Sequence, residues 1–416
     1  MRQSSQGENA WWMAIVLANA FFVPLLVVPV KGLNGIGAVD VFSPLAIISL
    51  LILRRVAAFH LSHFALAGFV FAALISLTMI DDTDMALRCG VRWVRLVSIV
   101  IPFYFGLVMP VTERQLNRTL KTFGIGGFLA VFVGILLYNL QVEIVETQQK
   151  LWMIDGFQLR AGGLIGNSGP FGHLTATWCV ITVGAICLLS QSRHRFALAS
   201  AVVLIAVYTV YIASSRATML HLIAALSGVA VLYKMSDVRR KQLLAYMLIG
   251  SVVLTLLITT TQMTDVPLLG ESDAISANLQ RFVPGLNGGD LTEFTSNRSN
   301  TWPTFVAMMS DSWLFGTGYK SGVQLHEQSP DNSYLSLMLE TGVLGFLCMS
   351  LFTISIFHRL GVLYLSNDRY AAIMLPVCVG QLVHGLTSDV YTFWISMPVV
   401  YLLLGFVIQR RVLDQN

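Results

Sequence analysis

The chain has 416 residues, 55% of them hydrophobic and only 12% charged, with a net charge of +4 and a mean hydropathy of +0.71. A water-soluble domain carries roughly a quarter charged residues, so the composition excludes one. The alternating ten-residue pattern of outer-membrane strands is missing, which excludes a β-barrel. The small positive charge gives no argument for a nucleic-acid partner.

Taken in chain order, the polar start Met1–Glu8 runs into Trp11, Trp12 and a full-length apolar run. No small-residue cleavage site precedes the next polar segment, so this first run is expected to stay in the protein as a span. Further runs of about 18 to 22 apolar residues, long enough to cross a hydrocarbon core of about 30 Å as helices, follow. The predicted spans are 11–30, 37–53, 62–80, 91–110, 119–140, 171–191, 197–213, 216–233, 242–262, 332–357, 370–387 and 391–409. The fold class expected is therefore an all-α polytopic membrane protein of about twelve transmembrane helices. Residues 1–416 read as a single integral membrane domain, without a soluble second domain or an internal repeat. Cys89, Cys179, Cys187, Cys348 and Cys378 lie in or at the ends of apolar runs, without zinc or redox spacing, and read as core filler.

Charge sorts the loops. Arg54 and Arg55, Arg114, Arg118 and Lys121, Arg193 and Arg195, the Lys234–Lys241 cluster, Arg359 and Arg369, and Arg410 and Arg411 all fall on the side of the N-terminus. Cytoplasmic loops collect positive charge, so both termini are expected in the cytoplasm. The opposite face receives Asp81, Asp82 and Asp84, a smaller loop at 141–170, and the long polar segment 263–331 between the ninth and tenth spans. A loop of that length usually carries function. Two stretches in these loops read as short interfacial helices: Ile144–Phe157 with Trp152, and the amphipathic Thr301–Phe315 with Trp302, Phe305, Met308, Met309 and Trp313.

Arginines on this outer face run against the charge rule, which makes them functional candidates. Arg160 opens a glycine-rich approach, through Asn167 and Pro170 to His173, into the sixth span; free amides at a helix start can bind an anion. Arg216 sits in Ser214-Ser215-Arg216-Ala217-Thr218 at a membrane boundary, where it must snorkel, pair or bind a charged ligand. Arg281 lies in the long loop, and Arg298 precedes Trp302 and the run Gly316-Thr317-Gly318. Asp331-Asn332-Ser333-Tyr334 then opens a span in which Glu340 lies about two turns deep. Asp331 or Asn332 suits a helix N-cap, a role compatible with chemistry.

These segments in this order, over about residues 155–345, resemble the O-antigen ligase and polymerase superfamily. The resemblance implies a metal-independent glycosyltransferase without a cofactor, acting on undecaprenyl-diphosphate-linked glycans at the periplasmic face of a bacterial inner membrane. Its partners would be that lipid-linked glycan, a glycan or lipid-linked acceptor, membrane lipids and other polysaccharide-assembly proteins. Ligases of this superfamily often carry histidine near the Asn-Ser segment, where this chain has Asp331. That departure makes it look more like an exopolysaccharide or O-antigen polymerase than a ligase acting on lipid A-core.

The residues expected to carry chemistry are Asp331 as base and Arg216 and Arg298 on the leaving diphosphate. Arg160, Arg281, Asn332, Tyr334 and His326 would bind substrate. Guanidinium groups suit the diphosphate because they stay charged and grip phosphate in bidentate fashion. The rival reading is a transporter or flippase of lipid-linked glycan, which the intramembrane Arg92 and Arg95 would also fit. The lack of paired halves with corresponding broken helices counts against it.

Overall fold

The computed structural model of the protein describes residues 28–30, 33–36, 40, 43, 61–109, 111–140, 151–153, 156–158, 161–165, 167–213, 215–232, 298–309, 312–322, 331–391, 393 and 395–413. The helices among them are α1 (Leu61–Ser76, prolonged by a 3-10 turn Leu77–Met79), α2 (Thr83–Val108), α3 (Glu113–Asn139), α4 (Ser168–Leu189), α5 (Arg195–Ile212), α6 (Arg216–Leu232), α7 (Arg298–Met309), α8 (Ser333–Leu365), α9 (Arg369–Gly385) and α10 (Met397–Leu413). Among the described residues, six helices are long and apolar enough to cross a membrane: α1 with its 3-10 turn, α2, α3, α4, α5 and α8. Helix α6 and residues 397–409 of α10 are shorter apolar helices. The protein is thus a multi-pass helical membrane protein. The spans expected at 242–262 and, apart from a few positions, at 11–30 and 37–53 lie outside the described residues.

Local sequence explains where these helices begin. Asp82 accepts from the amides of Asp84 and Met85 at 2.8 and 3.2 Å and so caps α2. Thr112 and Gln115 satisfy each other's backbone amides ahead of α3, a reciprocal capping box.

Three expectations are corrected. Val28–Val30 pairs antiparallel with Leu33–Ile36, so the end of the first expected span is extended chain. Pro29, Gly32 and Gly35 are poor helix formers and explain it. Leu151–Met153 pairs with Gly156–Gln158 where an interfacial helix over Ile144–Phe157 was expected. Asp155-Gly156 is a turn signal, and aromatic and apolar residues on either side suit a hairpin. In the long loop, the helix expected over Thr301–Phe315 runs instead from Arg298 to Met309, and residues 313–315 form a turn.

The chain divides into two compact units. The first contains α1, α2, α7, α8, α10 and the segments around them. Here α2 lies against α10 so closely that a Cβ on Gly106 would be 2.6 Å from the Leu402 carbonyl oxygen, and one on Gly405 would be 2.4 Å from that of Phe103. Small residues at such a crossing let backbones meet where lipid supplies no hydrophobic drive. Phe103 packs edge-on against Phe352 of α8 at 5.3 Å. Helix α1 joins α2 through Trp93 Nε1 donating to the Val70 carbonyl at 2.9 Å and the Tyr104 hydroxyl donating to that of His63 at 2.8 Å.

The second unit gathers most of α3, with α4, α5, α6 and most of α9. Trp178 of α4 donates its indole N–H to the Gly124 carbonyl at 2.8 Å, and a Cβ on Gly127 would be 2.0 Å from its ring. Polar side chains pin these apolar helices together. His173 Nε2 meets Gln381 Oε1 at 2.5 Å, Gln381 Nε2 donates to Thr177 Oγ1 at 3.2 Å, and the His221 ring lies 5.4 Å from that of His173.

Candidate functional site

Helix α8 is broken in its N-terminal part. Gly342 has φ 64° and ψ −171°, a conformation essentially confined to glycine. In a continuous helix the amides of Val343 and Leu344 would bond to the carbonyls of Leu339 and Glu340. Here they donate instead to the carbonyls of Trp313 and Leu314, at 2.9 and 3.3 Å. The freed Leu339 carbonyl accepts from the Thr317 amide at 2.8 Å and the Thr317 hydroxyl at 3.1 Å. The turn after α7 is therefore docked in the break, where it supplies partners for both amides and for the Leu339 carbonyl, as buried backbone requires.

This explains Gly316-Thr317-Gly318. A Cβ on Gly316 would sit 2.5 Å from the Glu340 carbonyl carbon, and one on Gly318 2.5 Å from the Ile80 side chain. Thr317 is the plug between them.

Beyond the plug, the Tyr319 amide donates to the Ser76 hydroxyl at 2.9 Å, and Lys320 adopts φ 62°. The Lys320 ammonium pairs with the Asp389 carboxylate and lies 3.8 Å from Glu340 Oε2. Arg92 donates to the Lys320 carbonyl at 3.3 Å. Side-chain exposure is 16% for Lys320, 16% for Asp389 and 5% for Glu340, so each charge needs the others. Burial pulls the Lys320 pKa below its ordinary value, and Glu340, the largest opposing influence, holds it up. Arg95 pairs with Asp40 at 3.4 Å. The intramembrane charges singled out in the sequence, Arg92, Arg95 and Glu340, thus have partners inside this unit.

The head of α8 is built from Asp331, Asn332 and Ser333. Asn332 Oδ1 accepts from the amides of Tyr334 and Leu335, both at 3.0 Å, and its Nδ2 donates to the Leu386 carbonyl at 3.0 Å. Asn332 is therefore the N-cap, and the reading in which Asp331 caps the helix is corrected. Asp331 stands one residue earlier, half-buried, with φ 47°. An aspartate tolerates this left-handed conformation better than most residues. Ser333 donates to the Ser388 carbonyl at 2.7 Å and accepts from the Val390 amide at 2.9 Å. Asn332 and Ser333 thereby hold the turn that carries Asp389. The Tyr334 and Tyr391 hydroxyls share a hydrogen bond, and burial holds the Tyr391 phenol well above its usual range.

In the second unit, Asn167 caps α4 by accepting from the Gly169 amide at 3.1 Å. Ser215 caps α6, with its hydroxyl 2.7 Å from the Thr218 hydroxyl and accepting from the Thr218 amide at 3.4 Å. Arg216 follows as the first helical residue, half-buried. A helix start carries the positive end of the helix dipole, and Arg216 adds a cation to that end of α6. The Ala161 amide bonds to the Ile212 carbonyl at 3.0 Å, tying the segment after position 160 to the end of α5.

The structure brings Asp331, Asn332 and Tyr334 together at one helix head and places Arg216 in the other unit. Arg298 opens the backbone of α7, with its side chain outside the description, and Arg160, Arg281 and His326 lie outside the described residues. Lys320 and Asp389 join the site from outside the motif segments, and Ser333 from within the segment Asp331-Asn332-Ser333-Tyr334. Lys320 had a legible signal, since it is a cation in the segment 263–331, which the charge rule expects on the face poor in cations. The pairings made by Asp389 and Ser333 had no signal, because their partners are 69 and 55 residues away.

Residues 201–350 match the family model described as O-antigen ligase. The match supports the O-antigen ligase and polymerase superfamily, and it covers Arg216, Arg281, Arg298, Lys320, His326, Asp331, Asn332, Tyr334 and Glu340. No curated protein matches the chain.

Proposed function

We propose that this multi-pass membrane protein of O-antigen ligase or polymerase type is a metal-independent glycosyltransferase. It transfers or polymerises undecaprenyl-diphosphate-linked oligosaccharide units at the periplasmic face of a bacterial inner membrane, with both termini cytoplasmic. The observation that carries the reading is the family match over residues 201–350, which includes Arg216 and Asp331. In support, Asp331 stands outside the helix cap, and a cation stands at the start of α6. The segments 141–170 and 263–331 are, on this reading, periplasmic loops of one integral membrane domain.

In the transfer, an acceptor hydroxyl oxygen bonds to the anomeric carbon of the donor as the bond from that carbon to the diphosphate oxygen breaks. The leaving diphosphate keeps the electron pair. Arg160, Arg216 and Arg298, with Arg281 in addition, stabilise that developing charge as fixed cations. The hydroxyl proton passes to the Asp331 carboxylate. Asn332 shapes the head of α8, while Tyr334 and His326 contact sugar. With Asp331 where ligases of this superfamily often carry histidine, the chain resembles polymerases more than ligases acting on lipid A-core.

The test incubates the purified protein with its native lipid-linked repeat unit in detergent. A ladder of longer glycans supports the polymerase, and a single transfer to added lipid A-core supports the ligase. Unchanged donor under both conditions overturns the enzyme reading and leaves transport or flipping of the lipid-linked glycan to be measured in vesicles.

A further inference from the structure

Asp331 adopts a left-handed backbone conformation, with φ 47°, directly ahead of the α8 cap. That cap is part of a clamp made by three segments distant in sequence. At the head of α8, Asn332 bonds to Leu386, and Ser333 bonds to Ser388 and Val390. Asp389, between those last two, pairs with Lys320, which also approaches Glu340 just ahead of the break in α8. Lys320 belongs to the turn plugged into that break, and Arg92 holds its carbonyl. One ammonium therefore ties the broken joint to the turn on which the helix head rests.

We propose that Lys320, through its pairs with Asp389 and Glu340, is a positioning residue of the transfer reaction that fixes Asp331 at the head of α8. The inference rests on the glycosyltransferase reading. It assigns Lys320 no contact with substrate. Lost positioning slows the step that needs Asp331 and leaves the donor's binding to the arginines intact. A displacement of about 1 Å at a reacting group can cost on the order of a hundredfold in rate.

The experiment measures kcat and KM for the undecaprenyl-diphosphate-linked repeat unit with full-length protein in detergent. Lys320→Met keeps most of the side-chain stem and removes the charge; Lys320→Arg keeps the charge. The expected result is a kcat lowered by on the order of tenfold to a hundredfold in Lys320→Met, an unchanged KM, and recovery of most of the rate in Lys320→Arg. A wild-type kcat in Lys320→Met, a raised KM, or an Arg variant no better than Met overturns the inference. Should Lys320→Met not accumulate, Asp389→Asn, which leaves Lys320 with Glu340, is read by the same criteria of kcat and KM. Absence of turnover by the wild-type protein defeats the glycosyltransferase reading and this inference with it. Wild-type turnover with any of the adverse variant results defeats the inference alone.

Discussion

Gly342→Ala tests the joint in α8 most directly. The residue adopts φ 64° and ψ −171°, and forcing alanine into that region costs about 1–3 kcal/mol. Space is also lacking, since the new Cβ would fall 2.3 Å from the Leu314 carbonyl oxygen and 2.4 Å from its carbon. Carbon atoms sit comfortably only at about 3.5–4.0 Å, and these atoms are backbone that a rotamer change cannot move. If the plugging turn backs away, the bonds from Val343 to Trp313 and from Leu344 to Leu314 are lost at about 1 kcal/mol each. The total is about 3–5 kcal/mol. Gly361→Ala in the same helix is the control: its Cβ would meet nothing within 4 Å, and removing a helical glycine gains up to about 1 kcal/mol. Thermal unfolding of the purified variants in one detergent, with their abundance in membranes, measures both. The expected order of stability is Gly361→Ala at or above wild type and Gly342→Ala well below it. A Gly342→Ala protein that unfolds at the wild-type temperature would refute the broken-helix joint.

Asn332→Ala removes the α8 cap and the bond to Leu386, and is expected to lower stability by about 1–2 kcal/mol in the same unfolding assay. Because Asn332 rather than Asp331 caps the helix, Asp331→Asn should leave unfolding nearly unchanged while turnover collapses; an active variant with an unaltered pH–rate profile would remove Asp331 from the chemistry. Arg216→Ala should lower turnover by about a hundredfold to a thousandfold, as the loss of one donor to a developing oxyanion does, and Arg216→Lys should recover only part because it lacks the planar fork. Single cysteines placed at 265–325 should react with a membrane-impermeant maleimide in intact spheroplasts, whereas reaction only near Arg239 would invert the proposed topology.

Long apolar runs were the legible part of this fold. Helices α2, α3, α4 and α8 lie where the runs at 91–110, 119–140, 171–191 and 332–357 place spans, because bilayer thickness translates directly into run length. Capping polarity at the head of α8 was legible as well, although choosing between Asp331 and Asn332 needed the backbone angles. The break at Gly342 was not legible. A glycine inside an apolar helical run reads as a tolerated small residue, and only the carbonyls of Trp313 and Leu314 reveal what takes its place. Lys320 shows the same limit from the charge side. Its sign marks it as unusual on the face where the charge rule places the 263–331 loop, but Asp389 and Glu340 are joined to it only by folding.

The joint also bears on the choice between enzyme and carrier. Carriers break helices at the membrane midplane and use the freed amides and carbonyls to hold substrate or coupling ions. In α8 the amides of Val343 and Leu344 and the carbonyl of Leu339 are consumed by Trp313, Leu314 and Thr317. The break therefore serves to seat a turn, and that turn brings Lys320 to Glu340 and Asp389. Arg92 and Arg95, the charges that best fitted a carrier, donate to the Lys320 carbonyl and pair with Asp40. Here the groups at the break and Arg92 are engaged in holding the turn and one end of α8 together, which is the arrangement that the base role proposed for Asp331 needs.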